Sequence, residues 1–297
     1  MKNGVVIVNK EEGLSSQAVV NRIKRIFGVK KAGHTGTLDP LATGVLPVLI
    51  GRAVKASDYL LTKDKHYVAT LLLGITTDSE DVTGEILTES TLLPSECEVR
   101  AAVASMLGKS MQTPPMYSAI KINGKKLCDL AREGKTVERE AREITVFDIS
   151  TEKINEREYL LDVHCSKGTY IRTLCADIGK KLGCGGVMKT LCRSEVSMFS
   201  LKDAHTLSEL EAMSEDERDC FIFPTEIIFK DYKKIVLAPF FARLARCGQP
   251  IYCKKAKISA ELGERVTFYD EKGFFAIGEC VTYEDELCIR VTKQFDV

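Results

Sequence analysis

The chain has 297 residues, enough for one large and one small domain, and its 44% hydrophobic and 28% charged residues suit a globular protein. Forty-two basic residues balance 42 acidic ones, so net charge signals no polyanion partner, and any such partner must meet basic residues gathered locally. The eleven cysteines are odd in number, lack any C-x-x-C pair and sit in apolar stretches, which disfavours a zinc ribbon or a thioredoxin-type site and suits buried free thiols in a reducing cytosol; the N-terminal apolar run is too short for a signal peptide, and no apolar run is long enough for a membrane span.

In chain order, a buried strand is predicted at 4–8, then an amphipathic helix capped by Ser15 or Ser16, with Val19, Ile23, Ile26 and Phe27 on one side and Gly28 at its end. The other side carries Arg22, Lys24 and Arg25. Lys30 and Lys31 follow, and this basic run leads into the loop Gly33-His34-Thr35-Gly36-Thr37-Leu38-Asp39-Pro40-Leu41-Ala42-Thr43-Gly44. Strands are expected at 45–50 and 67–73, with a helix to about Leu61 between them, and a polar turn at 78–84. Ser95-x-x-Glu98 is a capping box for a helix through Val99, Val103 and Leu107, closed by Gly108.

Residues 110–142 read as a basic insertion projecting from the main sheet. Gln112-Thr113-Pro114-Pro115-Met116-Tyr117 cannot continue a helix, and Asn123-Gly124 signals a hairpin flanked by Lys121, Lys125 and Lys126. A short helix through Leu127, Leu130 and Ala131 ends at Gly134. A plain surface hairpin is the alternative reading. Strands follow at 144–150 and 159–165. Thr169 can cap a helix bearing Ile171, Leu174, Cys175, Ile178 and Leu182; a strand at 191–199, a helix at 207–213 and an acidic segment at 214–219 come next. A boundary is expected near Lys230. Beyond it, a helix at Pro239–Arg246 and strands around 266–269, 274–281 and 287–291 make a small β-rich module.

The chemistry is concentrated in the loop at 33–44. Glycine permits close backbone approach, and Asp39 precedes a proline, which restricts its backbone. Such a loop can aim one acid at a bulky polar substrate, although an ordinary Asp-Pro turn has the same composition. A carboxylate in a partly buried loop needs a cation to stay ionised. Arg172 is the candidate, because a cation in the first turn of a helix opposes the helix dipole and gains from a nearby acid; a surface arginine paired elsewhere is the alternative. Tyr67 and Tyr170 suit stacking on a base, or places in the core or rim. His34 suits a phosphate or base contact, or a bond within its own loop. No H-x-x-x-H, G-x-x-x-x-G-K-S/T or G-x-G-x-x-G occurs, which disfavours a metal centre, nucleoside triphosphates and dinucleotides.

Over nearly its full length the chain resembles the TruB-type tRNA pseudouridine synthases. The loop at 33–44 matches the family's nucleophile motif, Lys65-His66-Tyr67 its basic-x-Tyr motif, and Ser166-Lys167-Gly168-Thr169-Tyr170-Ile171-Arg172-Thr173-Leu174 its arginine-bearing motif. Pro115-Met116-Tyr117-Ser118-Ala119-Ile120-Lys121 and Gly124-Lys125-Lys126-Leu127 match its RNA-gripping insertion, and Gly183-Cys184-Gly185-Gly186 with Leu191 match the segment around its last catalytic-domain strand. Two positions depart from the pattern. Glu11 replaces the proline of Lys-Pro-x-Gly-x-Ser-Ser, losing rigidity and adding negative charge, and Cys192 stands where the first of two arginines is usual, which implies a weaker RNA contact.

The resemblance implies an α+β fold: a mixed, mainly antiparallel central sheet flanked by helices over 1–230, with a PUA-like RNA-binding domain at 231–297. It implies an isomerase that needs no cofactor, acting on uridine 55 in the T loop of tRNA. The N1 glycosidic bond breaks, the uracil turns, and C5 joins the sugar. On this basis Asp39 is the covalent nucleophile, His34 props the loop open, Tyr67 stacks on the everted uracil, Tyr170 and Leu191 line the pocket, and Arg172 holds Asp39 ionised and oriented. Lys10, the basic helix and Lys121, Lys125 and Lys126 contact phosphates. A non-enzymatic RNA chaperone would share the basic stretches but leave Asp39 unexplained. The short tail and the lack of lysine-rich termini point away from the guide-RNA-dependent, dyskerin-like branch, so a stand-alone, cytoplasmic monomer is expected, with the tRNA T arm as partner and no guide RNA or membrane.

Overall fold

The computed structural model describes residues 2–122 and 124–295. Up to Ser200 the strands are β1 (Gly4–Lys10), β2 (Ala32–His34), β3 (Thr43–Ile50), β4 (Lys65–Leu73), β5 (Ile75–Thr77), β6 (Ile86–Glu89), β7 (Gly108–Gln112), β8 (Lys121–Ile122), β9 (Lys125–Lys126), β10 (Arg142–Lys153), β11 (Glu158–Cys165), β12 (Gly186–Val196) and β13 (Phe199–Ser200). Among them lie α1 (Ser16–Ile26), α2 (Ser57–Leu61), α3 (Glu96–Ala104), α4 (Leu127–Arg132) and α5 (Ile171–Lys181), followed by α6 (Leu207–Ala212) and α7 (Glu215–Asp219). The main sheet runs β1-β3-β12-β4-β11-β10-β7, with β2 on β3 and β13 on β12. All its pairings are antiparallel except β12 with β3, which meet at Cys192–Thr43 and Arg193–Gly44.

β1 and β3 are near-continuous apolar runs because both faces are covered. Val6, Val8, Leu46 and Val48 join the core under α1, α3 and α5, while Val5, Ile7, Val45 and Leu49 pack with Phe199, Ile228 and Phe229 on the other side. The tail adds β14 (Lys233–Val236), α8 (Pro239–Arg246), β15 (Ile251–Tyr252), α9 (Cys253–Ala256), β16 (Arg265–Asp270), β17 (Gly273–Tyr283) and β18 (Glu286–Gln294). These form a second sheet, β14-β16-β17-β18-β15, with a separate core that includes Phe268, Phe275 and Ile289. The tail docks on the first unit through Tyr59, Phe229, Tyr232, Phe274 and Phe295, and Lys293 Nζ lies 3.2 Å from Asp58. Among the described residues no helix is long and apolar enough to cross a membrane.

Several expectations are corrected. The helix opened by the Ser95 capping box stops at Ala104, and Gly108, at φ 97°, begins β7. Residues 108–112 and 142 belong to the main sheet, so the projecting part of the insertion is shorter than 110–142. The β5–β6 hairpin was not expected. Thr169 donates its hydroxyl to Ser166 O and does not cap α5. The strand expected at 191–199 breaks at Ser197, which has φ 57°. All eleven cysteines are free, but Cys97, Cys220 and Cys247 are exposed. Asn123 of the hairpin turn and the side chain of Lys126 lie outside the described residues.

Candidate active site

Asp39 sits in a loop whose backbone is held at nearly every step. Thr35 N–H donates to Pro47 O, and Gly36 O accepts from Arg193 Nη2 at 3.2 Å. The hydroxyl of Ser16 both accepts from Leu38 N–H at 2.8 Å and donates to Leu38 O at 2.9 Å. Of the two serines that open α1, Ser15 is therefore the cap and Ser16 clamps the loop. Lys10 Nζ donates to Pro40 O and Ala42 O, and Gly13 N–H also donates to Pro40 O. Gly44, at φ 100°, closes the loop where β3 meets β12; a Cβ there would lie 2.3 Å from Arg193 O, so only glycine allows this approach.

The loop forms one side of a cleft of about 1130 Å³, also lined by Tyr67, Tyr170, Arg172, Leu191, Arg193, His34 and Lys65. Arg172 is 5% exposed, and its Nε lies 3.1 Å from Asp39 Oδ2. Its Nη1 donates to Ser79 O at 3.1 Å and lies 3.7 Å from Asp81 Oδ2; Nη2 donates to Tyr117 O at 2.7 Å. The guanidinium is thus sandwiched between two carboxylates and two carbonyls. Asp81 is itself fixed by Ser79 Oγ and by the N–H and hydroxyl of Thr83.

Burial pushes the Asp39 carboxyl above its ordinary range; Arg172 and Lys10 pull it down, and Asp81 adds to the rise. Arg172 therefore offsets the cost of burial only in part. Burial lowers Lys10 and Lys65 to about 8. Burial also lowers His34, with Arg193 adding to the effect, so its imidazole is neutral at pH 7. Tyr67, 8% exposed, is pushed up by burial, with the charge of Arg193 pulling the other way; Tyr170 is likewise raised by burial. Both remain phenols at neutral pH. The pocket thus combines flat apolar surfaces with the Asp39 carboxylate held beside a buried guanidinium, and among the described residues no cluster of side chains could hold a metal ion.

The structure brings Asp39, His34, Tyr67, Tyr170, Arg172 and Leu191 together. Lys10 is not among them as a phosphate contact. It is fully buried, and its Nζ is taken by the carbonyls of Glu11, Pro40 and Ala42. The grip survives the Glu11 departure because it uses the residue's carbonyl. Arg22 is also removed from the basic face, held by Glu211 through two bonds of 2.7 Å. Lys121 and Lys125 are exposed on the β8–β9 hairpin. Asp81, Gln112 and Arg193 were missed. Asp81 reads as one more polar residue in a turn, and only its burial marks it out. Gln112 Nε2 donates to Tyr170 O and its Oε1 accepts from Tyr170 N–H, holding the start of α5, which has no side-chain cap of its own.

Known proteins resemble this chain in sequence and fold. Residues 24–171 match the TruB family pseudouridylate synthase N-terminal domain, and residues 172–230 match the tRNA pseudouridylate synthase B C-terminal domain. The tRNA pseudouridine synthase B of Alkaliphilus oremlandii is 44% identical over 278 residues, covering 93% of this chain and 92% of that protein. That of Francisella tularensis subsp. novicida is 43% identical over 282 residues, covering 93% and 91%. Among solved structures, a Cbf5-Nop10-Gar1 complex matches with TM-score 0.71 at 25% identity, covering 98% of this chain and 84% of that one. An H/ACA RNP bound to a substrate RNA containing 2'-deoxyuridine matches in fold, with TM-score 0.73 at 23% identity, covering 99% and 85%. With two family models covering residues 24–230 and relatives this similar over nine-tenths of its length, the chain belongs to the TruB family of pseudouridylate synthases.

Proposed function

We propose that this enzyme isomerises uridine to pseudouridine at position 55 in the T loop of tRNA, as a monomer without guide RNA, with Asp39 as covalent nucleophile. The observation that carries the reading is the Asp39 carboxylate, 3.1 Å from a buried guanidinium, on a pinned loop lining a cleft large enough for a nucleoside. The uridine leaves its stack, at a cost of a few kcal/mol, and enters the cleft. Tyr67 stacks on the uracil, Tyr170 and Leu191 bound the pocket, and His34, neutral, wedges the loop open. Asp39 attacks the nucleoside and is regenerated at the end. In balance, the bond from N1 to C1′ breaks and one from C5 to C1′ forms, while C5 loses a proton and N1 gains one. The Tyr67 hydroxyl, in the same cleft as Arg193, serves the proton change at C5. Lys121, Lys125 and Lys126 hold phosphates, and the 231–297 module, PUA-like in its small β-rich architecture, extends the RNA-binding surface.

Asp39→Asn tests the assignment. With a T-arm stem-loop carrying uridine tritiated at C5, the wild type releases tritium without guide RNA, and Asp39→Asn releases none while binding the RNA with unchanged affinity. Turnover by the variant would overturn the role of Asp39, and failure of the wild type on the bare stem-loop would overturn the stand-alone reading.

A further inference from the structure

We propose that Tyr117 is a positioning residue for the reaction, closing a clamp around the guanidinium of Arg172. The two terminal nitrogens of Arg172 are held by carbonyls from two separate segments, Nη1 by Ser79 O and Nη2 by Tyr117 O. Those segments are joined to each other, because the Tyr117 hydroxyl donates to Asp78 Oδ2 at 3.0 Å and Asp78 is covalently next to Ser79. The result is a closed ring: guanidinium, Tyr117 backbone, Tyr117 phenol, Asp78 and Ser79 backbone. A planar fork fixed at both tips leaves Nε one direction, toward Asp39.

The bases of both arms are anchored independently. Gln112, five residues before Tyr117, grips the N–H and C=O of Tyr170 at the start of the helix that carries Arg172. The other arm is fastened to α5 and β12. Thr173 Oγ1 donates to Glu80 Oε2, and Glu80 O and Val82 N–H pair with the backbone of Met188. Among the described residues, the hydrogen bond from Tyr117 to Asp78 joins the two arms directly across the cleft mouth. The insertion therefore does more than carry lysines toward RNA: its root completes the seating of the arginine that faces the nucleophile.

The inference rests on the Asp39 reading above, and its test separates the two. Tyr117→Phe removes the hydroxyl and leaves the carbonyl in place. Single-turnover rates on the T-arm stem-loop are measured from pH 5 to 9 for the wild type, Tyr117→Phe, Asp78→Ala and the double variant, with RNA affinity measured alongside. Tyr117→Phe is expected to lower the rate about three- to tenfold at pH 7 with affinity unchanged within about twofold, the size expected for one exposed hydrogen bond to a carboxylate. It should also move the acid limb of the rate profile to higher pH, because a looser Arg172 supports ionised Asp39 less well. The double variant should be no slower than the slower single variant, since either change opens the same ring. An unmoved acid limb, multiplicative losses, or a loss confined to RNA affinity would each overturn the clamp, while a dead Asp39→Asn would leave the nucleophile assignment standing.

Discussion

Replacing Arg172 by Met leaves Asp39 and the buried Asp81 facing each other with no cation between them. Unit charges about 4 Å apart attract by about 4 kcal/mol at an effective dielectric of about 20. Because the Asp39 side chain is 36% exposed, solvent screening reduces its share to about 1–3 kcal/mol, or about one to two pH units. The carboxyl already sits above its ordinary value, so the change adds to an existing rise. In the proposed reaction the active form is the carboxylate. Turnover therefore falls as pH drops through the folded-state value, and in Arg172→Met that fall begins about one to two units higher. Single-turnover tritium release across pH 5–9 reads the shift directly. At pH 7 the rate should drop on the order of 100-fold, through lost charge and lost orientation together. Arg172→Lys separates the two contributions: it keeps the charge, so its acid limb stays near that of the wild type while the rate falls. An Arg172→Met variant with an unmoved acid limb would refute the electrostatic argument.

Other outcomes follow from the same geometry. Asp39→Asn should leave the fold as stable as the wild type at pH 7 or more stable by about 1 kcal/mol, because a carboxyl with a raised folded-state pKa contributes most below its unfolded value and loses that contribution as pH rises through the folded one; urea melts at pH 7 decide it. Lys10→Met should cost about 2–4 kcal/mol and most of the turnover, since three carbonyls lose their donor, while the salt dependence of RNA binding stays unchanged, as expected of a lysine that never meets a phosphate. Gly44→Ala should destabilise by more than about 3 kcal/mol because its Cβ meets Arg193 O on a backbone at φ 100°. Gly36→Ala, whose nearest contact is Arg193 Nη1 at 3.5 Å, should cost only the strain of its φ, about 1–2 kcal/mol; denaturant midpoints rank the pair.

Elements were legible where local signals agreed with the tertiary outcome. The Ser95 capping box forms with Glu98, and the helix Pro239–Arg246 has the predicted bounds. The loop at 33–44 was legible as a candidate site because an acid, three glycines and a proline fall within one short stretch. The β5–β6 hairpin was hidden because Ile86 and Leu87 are exposed and do not alternate with a buried face. Lys10 was misread because sequence gives a lysine's charge but not its direction, and here the ammonium turns inward to carbonyls. Asp81 and Gln112 act through contacts 91 and 58 residues away in sequence, which no local pattern encodes.

A division of labour among the cations follows from burial. Lys10, Arg172 and Arg193 are 0%, 5% and 1% exposed, and each bonds Asp39 or its loop. The cations that the proposed function assigns to RNA, such as Lys121 and Lys125, lie on the exposed hairpin. Salt screens exposed charges over about 8–10 Å but barely reaches buried ones. Raising potassium chloride from about 50 to 200 mM should therefore weaken stem-loop binding steeply, by counterion release from the phosphates, yet leave the single-turnover rate at saturating RNA within about twofold. If the saturated rate fell in parallel with affinity, the cations that support the nucleophile would be open to solvent, and the separation of an internal catalytic charge set from an external binding set would fail.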